Sequence, residues 1–580
     1  MDLKKINKQI KEAANKLPTD LCKLSLEMIN AESLLSLQQG IKTSANLIET
    51  TNTVIKLLAE ELQNLRDENR ELKGEQGKPK IRPQAATGDE SNNDNSNDDA
   101  PDGKSPDISS EDERSSDDKQ RKQRRTNADI KITRSEVVTI DKTTLPDDAI
   151  FKGYQTYIVQ DIKFELDNIE YKREEYYSPS NNRSYVAALP IDYNGRGYGF
   201  NIKALIITLH HQGKMSQRGI HEFLSSAAGT QIAKSTVSRI LTDELEIFHQ
   251  EKDAIFAAGL YATNYVHIDD TGGRENGQNQ YVHVLCSPYF TAYFTREHKD
   301  RLTILEILGQ GIVSHVFTET TYALMLEMGI SAKVIEQLQP LLNLQLSTVE
   351  LKLLLQELFG DDSHATAKKV IIESSAIIAY QQLPQAIKIL VCDDAPQFKQ
   401  ITELLALCWV HAGRHYKKLT PIIPEHKQLT DDFISQLWAY YHQLLAYQKN
   451  PLLELSPALS SNFDELFSTV TGYEELDERI AKTKSQKDNL LVVLRYPETP
   501  LHNNPAELGA RVQARRRDIS YQTQNEKGTT AKDSLMSVVQ TAIKLKVNVF
   551  RYVKDRISKA MQMTPLAEVI QSSTFCIESG

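Results

Sequence analysis

The apolar positions near the N-terminus follow a seven-residue rhythm. Ile41, Ile48, Ile55, Leu62 and Asn69 recur every seventh residue, and Leu58, Leu65 and Leu72 fill the complementary heptad position. That is the a/d seam of a coiled coil, and Asn69 is a polar residue at an a position, where it can fix register and strand number. A single amphipathic helix packed elsewhere on the chain would also read this way. The polar end LRDENRELK has no other obvious core and favours the coiled coil. Residues 74–128 then break every pattern: GDESNNDNSNDDAPDGKSPDISSEDERSSDD has no aromatics and almost no aliphatics, too little to repay its ordering entropy. A disordered acidic linker is expected there. The basic run KQRKQRR (Lys119 to Arg125) closes it, either as a DNA-contacting arm or as a plain flank.

Beyond the linker the rhythm changes twice. From Asp129 to Pro190, segments such as YQTYIVQDIKFEL and EYKREEYY alternate partially and are rich in Tyr, Ile and Val, which predicts a small β-rich module. Residues 191–256 read as helical. Within them MSQRGIHEFLSSAAGTQIAKSTVSRILTDEL has the layout of a helix-turn-helix. Its first helix would run from about Ser216 to Ser226, with the turn near Gly229. Ser235 would be the N-cap of a recognition helix presenting Thr236, Ser238 and Arg239. Helical hairpins without DNA contact share this layout.

After Ala257 the period shortens to that of strands. YATNYVHIDD, QYVHVLCS and YFTAYFTRE are three strand candidates, with the Gly-rich stretch TGGRENGQ as a turn between the first two. The helix DRLTILEILGQ, the buried strand IKILVCDD and a helix beginning near Cys408 follow. Strand–strand–strand–helix–strand–helix is the order of an RNase H-like α/β core. Long helical stretches at about 312–384 and 410–492 would be insertions at its edge. The expected architecture is therefore an α/β, RNase H-like catalytic core (257–560) and a tail (561–580). A helix-turn-helix region, a β-rich module, the linker (74–128) and a helical dimerising region (1–73) precede it.

Composition changes this picture little. No apolar run is long enough to span a bilayer, and MDLKKINKQIKEAANKL lacks the apolar stretch of a secretory signal, so neither membrane nor export is expected. Five scattered cysteines without CxxC spacing suggest neither a disulfide framework nor a zinc knuckle and fit a reducing, cytoplasmic interior. A net charge of -10, taken alone, disfavours nucleic acid. Gly88 to Asp118, however, holds 12 acids against two bases, which accounts for all of it. Arg511 to Lys559 holds 12 bases against four acids, a cluster suited to phosphate contact or to a solvated helix face.

The chemistry lies in acids at strand ends. Asp269-Asp270 follow YVHI and Asp393-Asp394 follow IKILVC; a carboxylate there is held rigidly at the rim of the sheet. Glu507 lies in LHNNPAELGARVQARRR, early in a helix whose later turns are basic. Three carboxylates from separate segments can bind two Mg²⁺ ions for in-line phosphoryl transfer. Acids at strand ends also serve as helix caps.

At these residues the chain resembles the insertion-sequence sixty-six (TnpC-type) transposases. That family's C-terminal pattern is DNN-x-x-E-R, then Arg/Lys, Gly and T-A-x-x-x-G-x-x-P-x-x-Y-L. Asn503, Asn504, Glu507, Arg511, Gly528, Thr541, Ala542 and Tyr552 match it. The family's D-E-T corresponds to Asp269-Asp270-Thr271, and its D-G-x-x-x-Y to Asp393 through Phe398. Its C-W-A-H-A-R-R corresponds to Cys408 through Arg414. Four motifs in order, from Tyr198 to Ile557, carry the resemblance, and the N-terminal helix resembles the family's opening coiled coil. It implies a DDE transposase that cuts transposon ends and transfers them to target DNA. Asp269, Asp393 and Glu507 would be the catalytic, metal-binding acids, with Asp270 and Asp394 as fallbacks. Mg²⁺ would be the cofactor, with Mn²⁺ able to substitute. DNA contacts would come from Ser235, Thr236, Ser238, Arg239, His411, Arg414, Arg511, Arg515, Arg516 and Arg517, with Trp409 as core packing.

The implied partners are DNA, a second copy through the coiled coil and small accessory proteins of the same element; the implied place is the cytoplasmic nucleoid. The family's Cys-rich zinc module has no counterpart here. His502, Leu508 and Gly413 replace family Asp, Arg and Arg, and the insertion between Asp269 and Asp393 is longer than usual. A catalytically silent DNA-binding descendant and an RNase H-fold nuclease without strand transfer are the alternatives.

Overall fold

The computed structural model describes residues 40, 42–56, 58, 131–141, 144–146, 149–189, 197–360 and 364–578. The acidic linker, the KQRKQRR run and the heptad positions Ile41, Leu62, Leu65, Asn69 and Leu72 lie outside them. The chain divides into two units, one of residues 80–172 and 223–231, the other comprising the rest. In the smaller unit residues 149–172 form no strand, and Phe164 meets Phe223 edge-on at 5.7 Å. Among the described residues, strand structure in the expected β-rich module is confined to β1 (Glu175–Ser178) and β2 (Arg183–Val186), an antiparallel pair in the larger unit. Apart from the half-buried Ile158, the apolar side chains of YQTYIVQDIKFEL, Tyr157 and Ile162 among them, are exposed.

A helix at residues 42–56 (α1) is followed by α2 (Phe200–His211), α3 (Gln217–Ala227), α4 (Lys234–Ile240) and α5 (Glu246–Tyr261), all in the larger unit except residues 223–227 of α3. Next come β3 (Tyr265–Glu275), β4 (Gln278–Cys286), β5 (Thr291–Arg296) and α6 (Arg301–Leu308). An excursion from the sheet holds β6 (Ser314–Val316), α7 (Glu319–Glu327), α8 (Ala332–Leu338), β7 (Gln345–Ser347), α9 (Thr348–Phe359) and α10 (Ala365–Gln381). The chain re-enters at β8 (Ile389–Cys392) and β9 (Leu404–Leu407). It leaves again through α11 (Trp409–Lys417), α12 (Pro424–Lys449), α13 (Ser456–Leu466), α14 (Glu474–Lys484) and α15 (Lys487–Leu490). Finally α16 (Asn504–Ile519), α17 (Glu526–Lys544), α18 (Val549–Ile557) and α19 (Leu566–Glu578) complete it.

The sheet order is β5-β4-β3-β8-β9, with β3, β4 and β5 antiparallel and β8 and β9 parallel to β3. Two details differ from the sequence expectation. β3 does not stop at Asp269 but runs on to Glu275, so Gly272 and Gly273 are strand residues paired with β4. The turn is Asn276-Gly277 alone, with φ of 47° and 81°, the two left-handed residues of a type I′ hairpin. What ends near Asp269 is the pairing with β8, whose last matched pair is His267 with Val391.

The outer edge at β5 is closed by side chains rather than by another strand. Asp533, Ser537 and Thr541, four residues apart along one face of α17, accept the N–H groups of Thr295, Tyr293 and Thr291 at 2.6, 2.9 and 3.1 Å. A helical period of about four thereby meets a strand period of two, and the edge is left with no donor for a stray strand.

The excursion between β5 and β8 has its own core of Phe317, Tyr322, Met325, Leu338, Leu351, Leu355 and Ile371. The helical region after β9 packs around Trp409, which is fully buried among Tyr440, Tyr441, Phe463 and Phe467. α1 docks on that region by its polar side. Glu49, 1% exposed, accepts the N–H groups of Ile422 and Ile423 at 2.6 and 2.9 Å, capping α12 from outside. Asn46 exchanges hydrogen bonds with Gly472 O and Glu474 N, both at 3.2 Å. The seam residues Ile48, Ile55 and Leu58 stay 54, 58 and 46% exposed. Among the described residues no helix is long and apolar enough to cross a membrane.

Candidate active site

The parallel register of β3 and β8 brings two acids level. Asp269 and Asp393 each stand two residues past the pair His267–Val391. Asp269 Oδ1 accepts the N–H of Asp270 at 2.9 Å, and Asp393 Oδ1 that of Ala395 at 3.1 Å. Among the described residues neither has a basic partner at salt-bridge distance. Their neighbours do: Asp270 pairs with Lys299 at 3.6 Å and accepts from Gln397 Nε2 at 2.9 Å, while Asp394 pairs with Lys399 at 2.9 Å.

Glu507 reaches this rim on α16, and Asn503 determines how. Asn503, at the N-cap position and 1% exposed, donates from Nδ2 to Ile268 O at 2.8 Å and from its backbone N–H to Cys408 Sγ at 3.2 Å. Its Oδ1 accepts from His267 Nδ1 at 3.1 Å; burial pushes that imidazole down to about 3, so it is neutral. β3, α16 and the start of α11 are thus fastened at one amide, and Glu507 follows one helical turn later, its N–H on Asn503 O at 3.1 Å. The sequence marked Asn503 only as a motif match; its burial and three bonds were not legible there.

The carboxyls oppose one another's charge. Burial, with the charges of Asp393, Asp270 and Glu507 adding to it, pushes Asp269 up to about 7 against the opposing N–H of Asp270. Burial also raises Asp393, partly offset by the Ala395 N–H and by His411. Glu507 is held from the α11 side, with Arg414 at 3.3 Å from Oε2 and His411 Nδ1 at 3.6 Å from Oε1. Burial keeps His411 below its ordinary range. Arg414 can only donate, so its 3.2 Å contact to His411 Nε2 leaves the imidazole proton on Nδ1, facing Glu507. Glu507 Oε1 is buried and accepts no hydrogen bond.

Ligand-type atoms of Cys408, His411 and Glu507 lie within 4.8 Å of one another. Burial pushes the Cys408 thiol up to about 11, which keeps it protonated and a poor ligand beside the carboxylates.

The residues expected at DNA fall in different settings. α4 opens at Lys234 with Ala233 at its N-cap, so Ser235 lies inside the first turn. Thr236 is buried, Ser238 half-buried and Arg239 exposed, its guanidinium 3.2 Å from Thr236 Oγ1. On α16, Arg511 and Arg515 are exposed, and Arg517 donates to Gly272 O at 2.9 Å. Arg516 is the correction: only 5% exposed, it donates to His210 O at 2.8 Å and is a packing residue. Trp409 lies in the core, as expected. Gly413 replaces a family arginine because a Cβ there would come within 2.6 Å of Trp438.

Compared with known proteins, the chain matches the family described as "Transposase IS66 family" over residues 196–321 and 375–556, more than half its length. The match passes over 322–374, most of the excursion with the separate core. An uncharacterized protein of Sinorhizobium fredii (strain NBRC 101917 / NGR234), y4jO, is 28% identical over 320 residues, covering 54% of this chain and 98% of the relative.

Proposed function

The chain belongs to the IS66 family of transposases, and from that premise we propose that it is a DDE-type enzyme that cuts transposon ends and joins them to target DNA. Asp269, Asp393 and Glu507 are its catalytic acids. The observation that carries this reading is the pair of level, half-buried aspartates, one on β3 and one just past the end of the parallel β8, with Asp269 pushed up to about 7. Such crowding is costly unless a cation relieves it. The donors suit a hard divalent ion: carboxylate oxygens, one of them, Glu507 Oε1, buried without a hydrogen bond. When bound, Mg²⁺, or Mn²⁺ in its place, supplies the charge that activates a water or 3′-hydroxyl and stabilises the leaving oxygen.

The chain's own residues do the rest. Asn503 holds Glu507 in reach of β3. Lys299, Gln397 and Lys399 occupy Asp270 and Asp394, which supports Asp269 and Asp393 as the ligands of the two pairs. Arg414 and His411 orient Glu507, and Arg414, half-exposed, retains donors for a DNA phosphate. Arg511, Arg515, Arg517 and Arg239 are the remaining phosphate contacts, with Ser235 and Ser238 beside Arg239 on a helix-turn-helix.

The strand order, three antiparallel strands followed by two parallel ones, supports an RNase H-like core. The outward seam of α1 supports a homo-oligomer through the N-terminal coiled coil, acting at cytoplasmic DNA with small accessory proteins of the same element.

The test uses wild type and the variants Asp269→Asn, Asp393→Asn and Glu507→Gln on paired transposon-end DNA. Cleavage, joining and end binding are scored with Mg²⁺ or Mn²⁺. Wild type should cut and join; the variants should bind without cutting. Wild-type binding without cleavage would make the chain a silent DNA-binding descendant. Cleavage without joining would make it a nuclease.

A further inference from the structure

The loop from Asp393 to Gln400 is gripped by Arg301 of α6, which is itself held by Glu373 of the excursion. Arg301, the first residue of α6, spends its whole fork there. Nε donates to Lys399 O at 3.0 Å, one terminal nitrogen to Pro396 O at 3.1 Å, and the other to Glu373 Oε2 at 2.5 Å. The Arg301 and Glu373 side chains are 13 and 6% exposed. Glu373 lies on α10, in the segment that the family match passes over, whereas Arg301 and the loop lie inside the match. A second contact comes from the end of α10, where Gln381 Nε2 donates to Gln400 O at 3.0 Å. The same loop places Gln397 on Asp270.

We propose that Arg301 and Glu373 are positioning residues through which the excursion holds the Asp393 loop in the geometry a divalent cation requires. The guanidinium meets the two carbonyls and the carboxylate from three separate nitrogens in one plane, which the single nitrogen of lysine does not reproduce. Glu373 fixes the direction of that fork and so sets where the loop, and Asp393 at its start, come to rest. Partners one shell out from a ligand act in this way on metal affinity. The role rests on Asp393 being a ligand, as proposed above.

The experiment measures Mn²⁺ binding to the full-length protein without DNA, by loss of the free-ion electron paramagnetic resonance signal. Melting temperature and hydrogen exchange of residues 393–401 are followed in parallel. Arg301→Lys and Glu373→Ala should weaken Mn²⁺ binding roughly tenfold and speed exchange in the loop, with end binding unchanged. Glu373→Gln, which keeps an acceptor, should recover part of the affinity. Lys369→Ala, which removes only the flexible partner 3.7 Å from Glu373, should match wild type. Wild-type affinity and loop exchange in Glu373→Ala, with Asp393→Asn still abolishing binding, overturns the positioning role alone. Mn²⁺ binding indifferent to Asp269→Asn and Asp393→Asn overturns the metal site and this role with it.

Discussion

Two sides of one sheet bury polar groups in opposite ways. At the β5 edge, Asp533, Ser537 and Thr541 each meet a backbone N–H, and Asp533 also accepts the Thr295 hydroxyl at 2.8 Å. At the β3–β8 rim, Asp269, Asp393 and Glu507 face one another's charge, and burial raises both aspartates. Both regions lie inside the family match, and Thr541 is a matched motif residue. The edge is solved by complementarity within the chain. The rim keeps its charges crowded, which supports the cation site proposed above.

The sharpest way to break this comparison is to remove one charge from each side. Asp269→Asn or Asp393→Asn should lower cleavage by about 10³-fold or more while the protein stays folded. Asp533→Ala strands the Thr295 N–H and should cost about 2–3 kcal/mol of stability, with activity falling only as the folded fraction falls. Equal melting losses at rim and edge would erase the distinction.

The pH dependence sharpens it. Asp269 lies above its unfolded value, so in the metal-free protein its neutral form is favoured by folding. That contribution is complete below about pH 4 and is lost as pH rises through about 7. Asp269→Asn should therefore be more stable than wild type above pH 7, by on the order of 2–4 kcal/mol, and the gap should close below pH 4. Mn²⁺ should narrow it at pH 7.5. Parallel melting curves across pH 4–8 would count against the crowded rim.

The basic helix repeats the contrast on a smaller scale. Arg516→Ala should lower stability by about 1–3 kcal/mol and leave the salt dependence of DNA binding untouched. Arg511→Ala and Arg515→Ala should each flatten the salt slope by about one unit without affecting melting. Smallest of all, Glu49→Gln should lower the melting temperature by a few degrees, because it weakens the carboxylate that caps α12. Ile48→Asp with Ile55→Asp should leave that temperature unchanged and reduce the mass seen by light scattering. An unchanged mass would mean that the outward seam of α1 is not a contact between copies.

Much of the core was legible because strands announce themselves by short apolar runs between breakers. YVHI, YVHVLC and ILVC all became strands, and the acids that follow YVHI and ILVC came level. β9 escaped notice because LLAL runs straight into the helix at Trp409 with no turn residue between them. The stretch TGGRENGQ contains the turn but is too wide for it: Gly272 and Gly273 pair as strand residues, and Asn276-Gly277 alone makes the turn. The heptads of α1 were visible, but not that its polar side would dock through Glu49.

Periodicity and motif order are properties of the chain alone, and they were enough for the family, four of the five core strands and the acids beside them. Tertiary structure decided the rest. Arg516 turned inward while Arg515 stayed out, although charge counting treats them alike, because burial depends on what packs opposite. Asp269 and Asp270 are equivalent letters. They differ only because Lys299 and Gln397, from two other segments, arrive at one of them and not the other.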